Sequence, residues 1–137
     1  MRVIVDTNVV LDVLLAREPF VAQAAQILAL VERSSIAASL CATTVTTIHY
    51  LLAQSLSANE VRNAMRGLLD LFEIAPVNRP VIEQALQSKI AHFEDAVLEQ
   101  AGRLVGAEAI VTRNTKDFRH SSIKALEPQE FLASLAA

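Results

Sequence analysis

Short apolar runs, the first of them β-branched, alternate along the chain with longer segments whose apolar residues recur every three or four positions. The first run, residues 2–5, is apolar without alternation once past Arg2 and ends directly on Asp6. Such a run predicts a strand buried on both faces, as in a parallel sheet. Asp6 to Asn8 forms the turn out of it, with Asp or Asn capping a short helix over 9–15. Arg17, Glu18 and Pro19 break that helix. Val21, Ala24, Ala25, Leu28 and Val31 keep helical spacing within 20–32. Residues 35–39 predict a second strand. The stretch 44–54 is rich in Thr and Val, which favour strands, but Val45, Ile48, Leu51 and Leu52 fit a helix. Ser57-Ala58-Asn59-Glu60 is a capping box that opens a helix to about Leu71. A third strand is expected over 72–77. Asn78 then caps a helix with Pro80 in its first turn, fading near Lys89. A helix over 94–105, closed by Gly106, leads to a fourth strand over 108–112 and a polar turn over 113–118. A short fifth strand over 123–126 and a last helix from Pro128 complete the chain.

Strands that alternate with helices argue for an α/β protein with a parallel sheet and right-handed crossovers. The 137 residues fit a single domain over 1–137, with no repeat, low-complexity run or linker. The hydrophobic fraction is 53%, yet no apolar stretch reaches the 18 or more residues of a membrane span. No cationic segment precedes an apolar core at the N-terminus, so a cytoplasmic protein is expected. The single Cys41 excludes an internal disulfide framework and a multi-cysteine metal site, and reads as a small buried hydrophobe. A net charge of −3 is a poor footprint for a protein that coats nucleic acid through a basic face. It leaves room for a nuclease, which needs acidic groups inside its cleft and only local cations around it. The surplus of apolar residues points to a partner or a dimer.

Two predicted strands end in polar turns of the same kind. One presents Asp6 and Asn8, the other Thr112, Asn114 and Asp117. Glu94 and Asp95 open the helix that precedes the fourth strand. That helix runs antiparallel to the strand, so its N-terminus lies at the same sheet edge. Open α/β sheets bind ligands at this edge. Clustered carboxylates repel, and a divalent cation held by oxygen donors, Mg²⁺ or Mn²⁺, resolves the conflict. The plainer roles are a helix cap for Asp6, a dipole partner for Glu94, a turn residue for Asp117 and a solvated helix position for Asp12. The ligand role is preferred for Asp6, Asp95 and Asp117, and the plainer one for Glu94 and Asp12.

The segments IVDTNVVLDVLL, FEDAVLEQAGRLVGAEAIVTRNTKDF and ALEPQEFL together resemble the PIN-domain family, and more narrowly its small prokaryotic members, which include toxins of the VapC type. The resemblance runs over essentially the whole chain. It implies a three-layer α/β/α sandwich with a central parallel sheet. It further implies a Mg²⁺- or Mn²⁺-dependent endoribonuclease, the toxin of a toxin–antitoxin pair, with RNA as substrate, a cognate antitoxin protein and a homodimer. Asp6, Asp95 and Asp117 match the family's catalytic, metal-binding acids, and Asn114 matches a polar neighbour. Thr7, Asn8, His49, Glu94, Thr112 and Asn114 would surround the ion or touch substrate, with Arg113, Lys116 and Arg119 as cations at the rim. The family usually carries a Glu in the helix after the second strand, and within TTVTTIHYLLAQ it is His49 that is read at that position. Imidazole brings no negative charge and suits Mn²⁺ or Zn²⁺ better than Mg²⁺. Glu94 or Asp12 would have to compensate. The alternative is a catalytically weak PIN-like module that binds RNA or protein. A phosphotransferase of the haloacid-dehalogenase type would want Asp where Asn8 stands, and a receiver domain would want a pair of acids after the first strand.

Overall fold

The computed structural model describes residues 1–136. Its strands are β1 (Arg2–Val5), β2 (Ala37–Cys41), β3 (Glu73–Ala75), β4 (Ala109–Val111) and β5 (Lys124–Leu126). Its helices are α1 (Thr7–Leu14), α2 (Val21–Glu32), α3 (Ala42–Ala53), α4 (Ala58–Leu71), α5 (Arg79–Gln87), α6 (Phe93–Leu104) and α7 (Pro128–Ala136). All strand pairs are parallel, in the order β3-β2-β1-β4-β5. The chain builds outward from β1 to β3, then crosses back to lay β4 on the other side of β1. The crevice beyond the carboxyl ends of β1 and β4 is therefore the topological switch point of the sheet.

The pleat sorts the core into two layers. Val3, Val5, Ala109 and Val111 pack with Val9, Ile27, Ile48, Leu68 and Phe131, contributed by α1, α2, α3, α4 and α7. Ile4 and Ile110 face the other way, onto Val81 and Ala85 of α5 and Val97 and Ala101 of α6. The result is the expected α/β/α sandwich. Caps fall where the sequence places them. Ser57 and Glu60 form a reciprocal box, the Asn78 side chain accepts from the Val81 amide, and Gly106 adopts φ +74° after α6. The Thr-rich segment is helical, with the hydroxyls of Thr46 and Thr47 donating to the Thr43 carbonyl at 2.8 and 3.1 Å. The second strand starts two residues later than expected. Ser34 takes φ +60° in the turn that closes α2, and pairing begins only where the Ala37 amide meets the Met1 carbonyl. Among the described residues, no helix is long and apolar enough to cross a membrane.

Asp12 corrects the expectation of a solvated position. The middle of α1 is buried through Val9, Val10, Leu11 and Asp12, so its one carboxylate cannot reach water. Two cations reach it instead. Arg17 Nε lies 2.9 Å from Oδ1, and Arg113 donates from Nε to Oδ2 at 2.7 Å and from Nη2 to Oδ1 at 3.2 Å. Arg113 also stacks on the Phe20 ring, 3.8 Å from its centroid. This arginine is thus a structural partner and not the free rim cation expected for it.

Two stability predictions follow from this packing. A Cβ on Gly102 of α6 would meet Ile4 Cγ2 at 3.0 Å and Ile123 Cδ1 at 3.3 Å. Ile4 is fully buried and cannot yield. Gly102→Val should lower the unfolding free energy by about 1–3 kcal/mol in a urea titration, and an unchanged midpoint would refute the close approach of α6 to β1. Asp12→Ala strands two guanidinium groups that are already partly wet, 39% and 27% exposed for Arg17 and Arg113. The loss expected in the same titration is therefore near the lower end for a broken buried pair, about 3 kcal/mol. A loss below about 1 kcal/mol would place the carboxylate in solvent.

Candidate active site

The ladder between β1 and β4 continues one residue past the strands, because the Asp6 amide donates to the Val111 carbonyl at 2.9 Å. This bond fixes the Asp6 backbone at the carboxyl edge, and its side chain is only 8% exposed. Oδ1 accepts the Thr7 amide at 2.8 Å, capping α1, and Oδ2 accepts the Thr112 hydroxyl at 2.8 Å. The cap and the site are the same carboxylate. Asn8 knits the two strand ends. Its Nδ2 lies 3.3 Å from Asp6 Oδ2 and 3.4 Å from Thr112 Oγ1, and its Oδ1 accepts the Arg113 amide at 3.1 Å. Thr112 is fully buried and its hydroxyl also accepts the Asn114 amide at 3.0 Å.

Asp95 lies half-buried in the first turn of α6, with exposed Glu94 beside it. Asp117 lies in a 3-10 turn, Thr115–Phe118, whose buried Phe118 anchors it to the core. Burial pushes the Asp6 carboxyl up, the Thr112 and Thr7 hydrogen bonds oppose this, and the charges of Glu94 and Asp117 add to it. Asp95 is pushed up to about 6, by burial first and then by the charges of Asp6 and Asp117. These mutual fields make one cluster of Asp6, Glu94, Asp95 and Asp117. Among the described residues, no three His, Cys, Asp or Glu side chains stand close enough to hold an ion as placed.

His49 is not part of this cluster. It is exposed on the face of α3 that lines a groove against α4, with Ala53, Arg62 and Met65. Two residues along a helix are roughly 200° apart, and the residue that faces the carboxylates is Thr47. Its Oγ1 stands 3.2 Å from Glu94 Oε1. Sequence reasoning missed Thr47 because the helix phase depends on where α3 starts, at Ala42, and nothing in a Thr-rich run marks that point. It also missed the Asp12–Arg17–Arg113 cluster, although a lone acid within VVLDVLL is a usable signal. Lys116 and Arg119 are exposed in and just after the Asp117 turn, and Asn114 is exposed at its start. Thr7 contributes its amide and not its hydroxyl to Asp6.

The arrangement gathers oxygen donors, four of them carboxylates, at one edge of the sheet, the kind of donor that hard divalent cations prefer. The chain was compared with known proteins. A family model described as PIN domain matches residues 2–116. No curated protein sequence matches the chain. Among solved structures, a toxin–antitoxin complex from Klebsiella pneumoniae is 22% identical, with a TM-score of 0.71 over 92% of this chain and 97% of that one. FitAcB from Neisseria gonorrhoeae is 21% identical, with a TM-score of 0.71 over 94% and 99%. VapC20 of Mycobacterium tuberculosis, a toxin described as cleaving the sarcin–ricin loop, is 16% identical, with a TM-score of 0.63 over 79% and 86%. At these identities the structures speak for the fold alone, while the family match spans most of the chain: the chain belongs to the PIN domain family.

Proposed function

We propose that this single PIN domain is a metal-dependent endoribonuclease that hydrolyses RNA phosphodiester bonds and serves as the toxin of a toxin–antitoxin pair in the cytoplasm. The observation that carries the reading is the gathering of Asp6, Asp95 and Asp117, with Glu94, at the switch point of the sheet, from the start of α1, the first turn of α6 and the turn after β4. The donor set fits Mg²⁺ or Mn²⁺. Mg²⁺ takes one or two carboxylates and keeps several waters, so it does not require three side chains to converge on one point. Bound there, such a cation supplies Lewis-acid polarisation of a phosphate and acidifies water.

Asp6 is the fixed member of the set, its two oxygens oriented by the Thr7 amide and the Thr112 hydroxyl. Asp95 is half-buried in the first turn of α6, and Asp117 is half-buried on the short turn after β4. Glu94 supplies the fourth negative charge, its Oε1 standing 3.2 Å from the Thr47 hydroxyl. It takes the place of an acid on α3, and Asp12 does not, since two arginines neutralise it. Lys116 and Arg119 are the cations placed to meet RNA phosphates. An antitoxin partner is supported by the toxin–antitoxin complexes among the structural neighbours. A homodimer is supported by exposed Leu86, Phe93 and Leu104 on α5 and α6. The second reading, a weakly catalytic module that binds RNA or protein, is favoured by one observation, the uncharged Thr47 where α3 meets the cleft.

Cleavage of a structured RNA pool in Mg²⁺ and in Mn²⁺ separates the two. Asp6→Asn, Asp95→Asn and Asp117→Asn should each lower the rate on the order of 100-fold or more, and Glu94→Gln about tenfold. His49→Ala should stay within about twofold of wild type. No cutting by the folded wild type in either metal favours the binding module.

The raised Asp95 carboxyl, due to burial first and to the neighbouring charges of Asp6 and Asp117 after it, gives an independent test. Asp95 moves from an ordinary 3.8 to about 6 on folding, so between those values the folded state holds more protons than the unfolded one. Stability from this group therefore falls as pH rises through that window, and the full penalty is present above it. In EDTA at pH 7.5, Asp95→Asn should melt at a higher temperature than wild type, with the difference closing towards pH 4. Mn²⁺ should raise the wild-type melting temperature and narrow the gap. A wild type that melts above Asp95→Asn at pH 7.5 in EDTA would contradict the penalty that burial and neighbouring charge place on the ionised Asp95.

A further inference from the structure

A cavity of about 390 Å³ opens beside the carboxylate edge, between the loop that joins α1 to α2 and the start of α7. Its apolar walls are Phe20 and Pro128, and its polar lining is Gln23, Glu127 and Gln129. Arg113 forms the side towards the acids. It connects the two places physically, because its amide bonds Asn8 Oδ1, and Asn8 in turn contacts Asp6. The volume is in the range of small-molecule sites. We propose that this cavity binds an unpaired guanine of the RNA substrate next to the scissile phosphate, an assignment that rests on the ribonuclease reading above.

Three features argue for it. Phe20 is 37% exposed although it lies against a stacked guanidinium, so the pair presents flat aromatic and guanidinium surface to the cavity. Unstacked RNA bases are recognised by stacking on aromatic rings and arginine planes. Arg113 is held in that pose by its bonds to buried Asp12, so the platform is built before any ligand arrives. Glu127 lines the same cavity with a carboxylate, which accepts hydrogen bonds only. Guanine alone among the four bases offers two adjacent N–H donors, at N1 and N2, to a bidentate carboxylate. Gln23 and Gln129 add amides that can donate to O6 or accept from the ring. A carboxylate at this position disfavours a backbone phosphate as the occupant and favours a neutral base.

The test is titration of the ¹⁵N-labelled full chain, without divalent metal, with GMP, IMP, AMP, CMP and UMP. GMP should shift the side-chain amide resonances of Gln23 and Gln129. IMP, which lacks the N2 amino group, should bind about tenfold more weakly. Phe20→Ala should abolish the shifts, and Glu127→Gln should reduce the GMP-over-IMP ratio to about one. Shifts absent with every nucleotide at millimolar concentration, or a GMP-over-IMP ratio unchanged in Glu127→Gln, would overturn the assignment. The cleavage assay reports separately. Cutting by wild type with no guanine preference and no effect of Glu127→Gln removes the guanine site and keeps the nuclease, whereas guanine binding without cutting keeps the site and removes the nuclease.

Discussion

The hydrogen bond from the Thr112 hydroxyl to Asp6 Oδ2 is the constraint on which the site depends. It spans 106 residues of sequence and exists because β1 and β4 pair in parallel register, Val5 against Val111. Parallel pairing brings both strands to their carboxyl ends at the same edge, so the residue after each strand meets the residue after the other. The order β2-β1-β4 opens the crevice at that edge. Asp6 can then be desolvated and still hold its place, because its backbone amide and both carboxylate oxygens are engaged by the scaffold.

Charge is handled in opposite ways on the two sides of α1. On the inner side, Asp12 is fully buried and satisfied by two guanidinium groups, an arrangement that fixes structure. At the N-terminal end, Asp6 lies near Glu94, Asp95 and Asp117, has no cation among its polar contacts within the described residues, and has its carboxyl pushed up by burial first and then by the charges of Glu94 and Asp117. The N-terminus of α6 offsets part of the repulsion at Asp95, since backbone N–H groups there favour negative charge. Burial, and after it the charges of Asp6 and Asp117, still push the Asp95 carboxyl up to about 6. Like charge is thus gathered at this edge of the sheet, in contrast to the paired carboxylate of Asp12.

The sheet and the sequence of its elements were legible because the two central strands, RVIV and AIV, are short β-branched runs that end in polar turns, and the helices between keep an apolar period. Asp6, Asp95 and Asp117 were legible as one edge because the direction of a helix relative to the next strand follows from connectivity alone. What escaped depends on rotation about an axis or on pairing at a distance. His49 and Thr47 differ by two positions, and only the start of α3 decides which of them turns to the cleft. Arg113 looked like a loop cation because its partner Asp12 is 101 residues away. The start of β2 escaped because a left-handed Ser34 delays pairing, and serine gives no advance sign of that conformation.

The uncharged α3 face has a consequence for how the site is assembled. Glu94, Asp95 and Asp117 come from one continuous stretch that includes α6, β4 and the following turn, and that stretch docks on β1 through Ile4, Gly102 and Ile110. Apart from Asp6, every carboxylate of the cluster is therefore positioned by a single packing event. The α3–α4 hairpin contributes a hydroxyl to Glu94 and no acid. Its outer surface carries exposed Tyr50 and Leu69 and the groove lined by His49, Arg62 and Met65. Substitutions there act on surface contacts, whereas any change that shifts α6 against β1 alters three of the four carboxylates together.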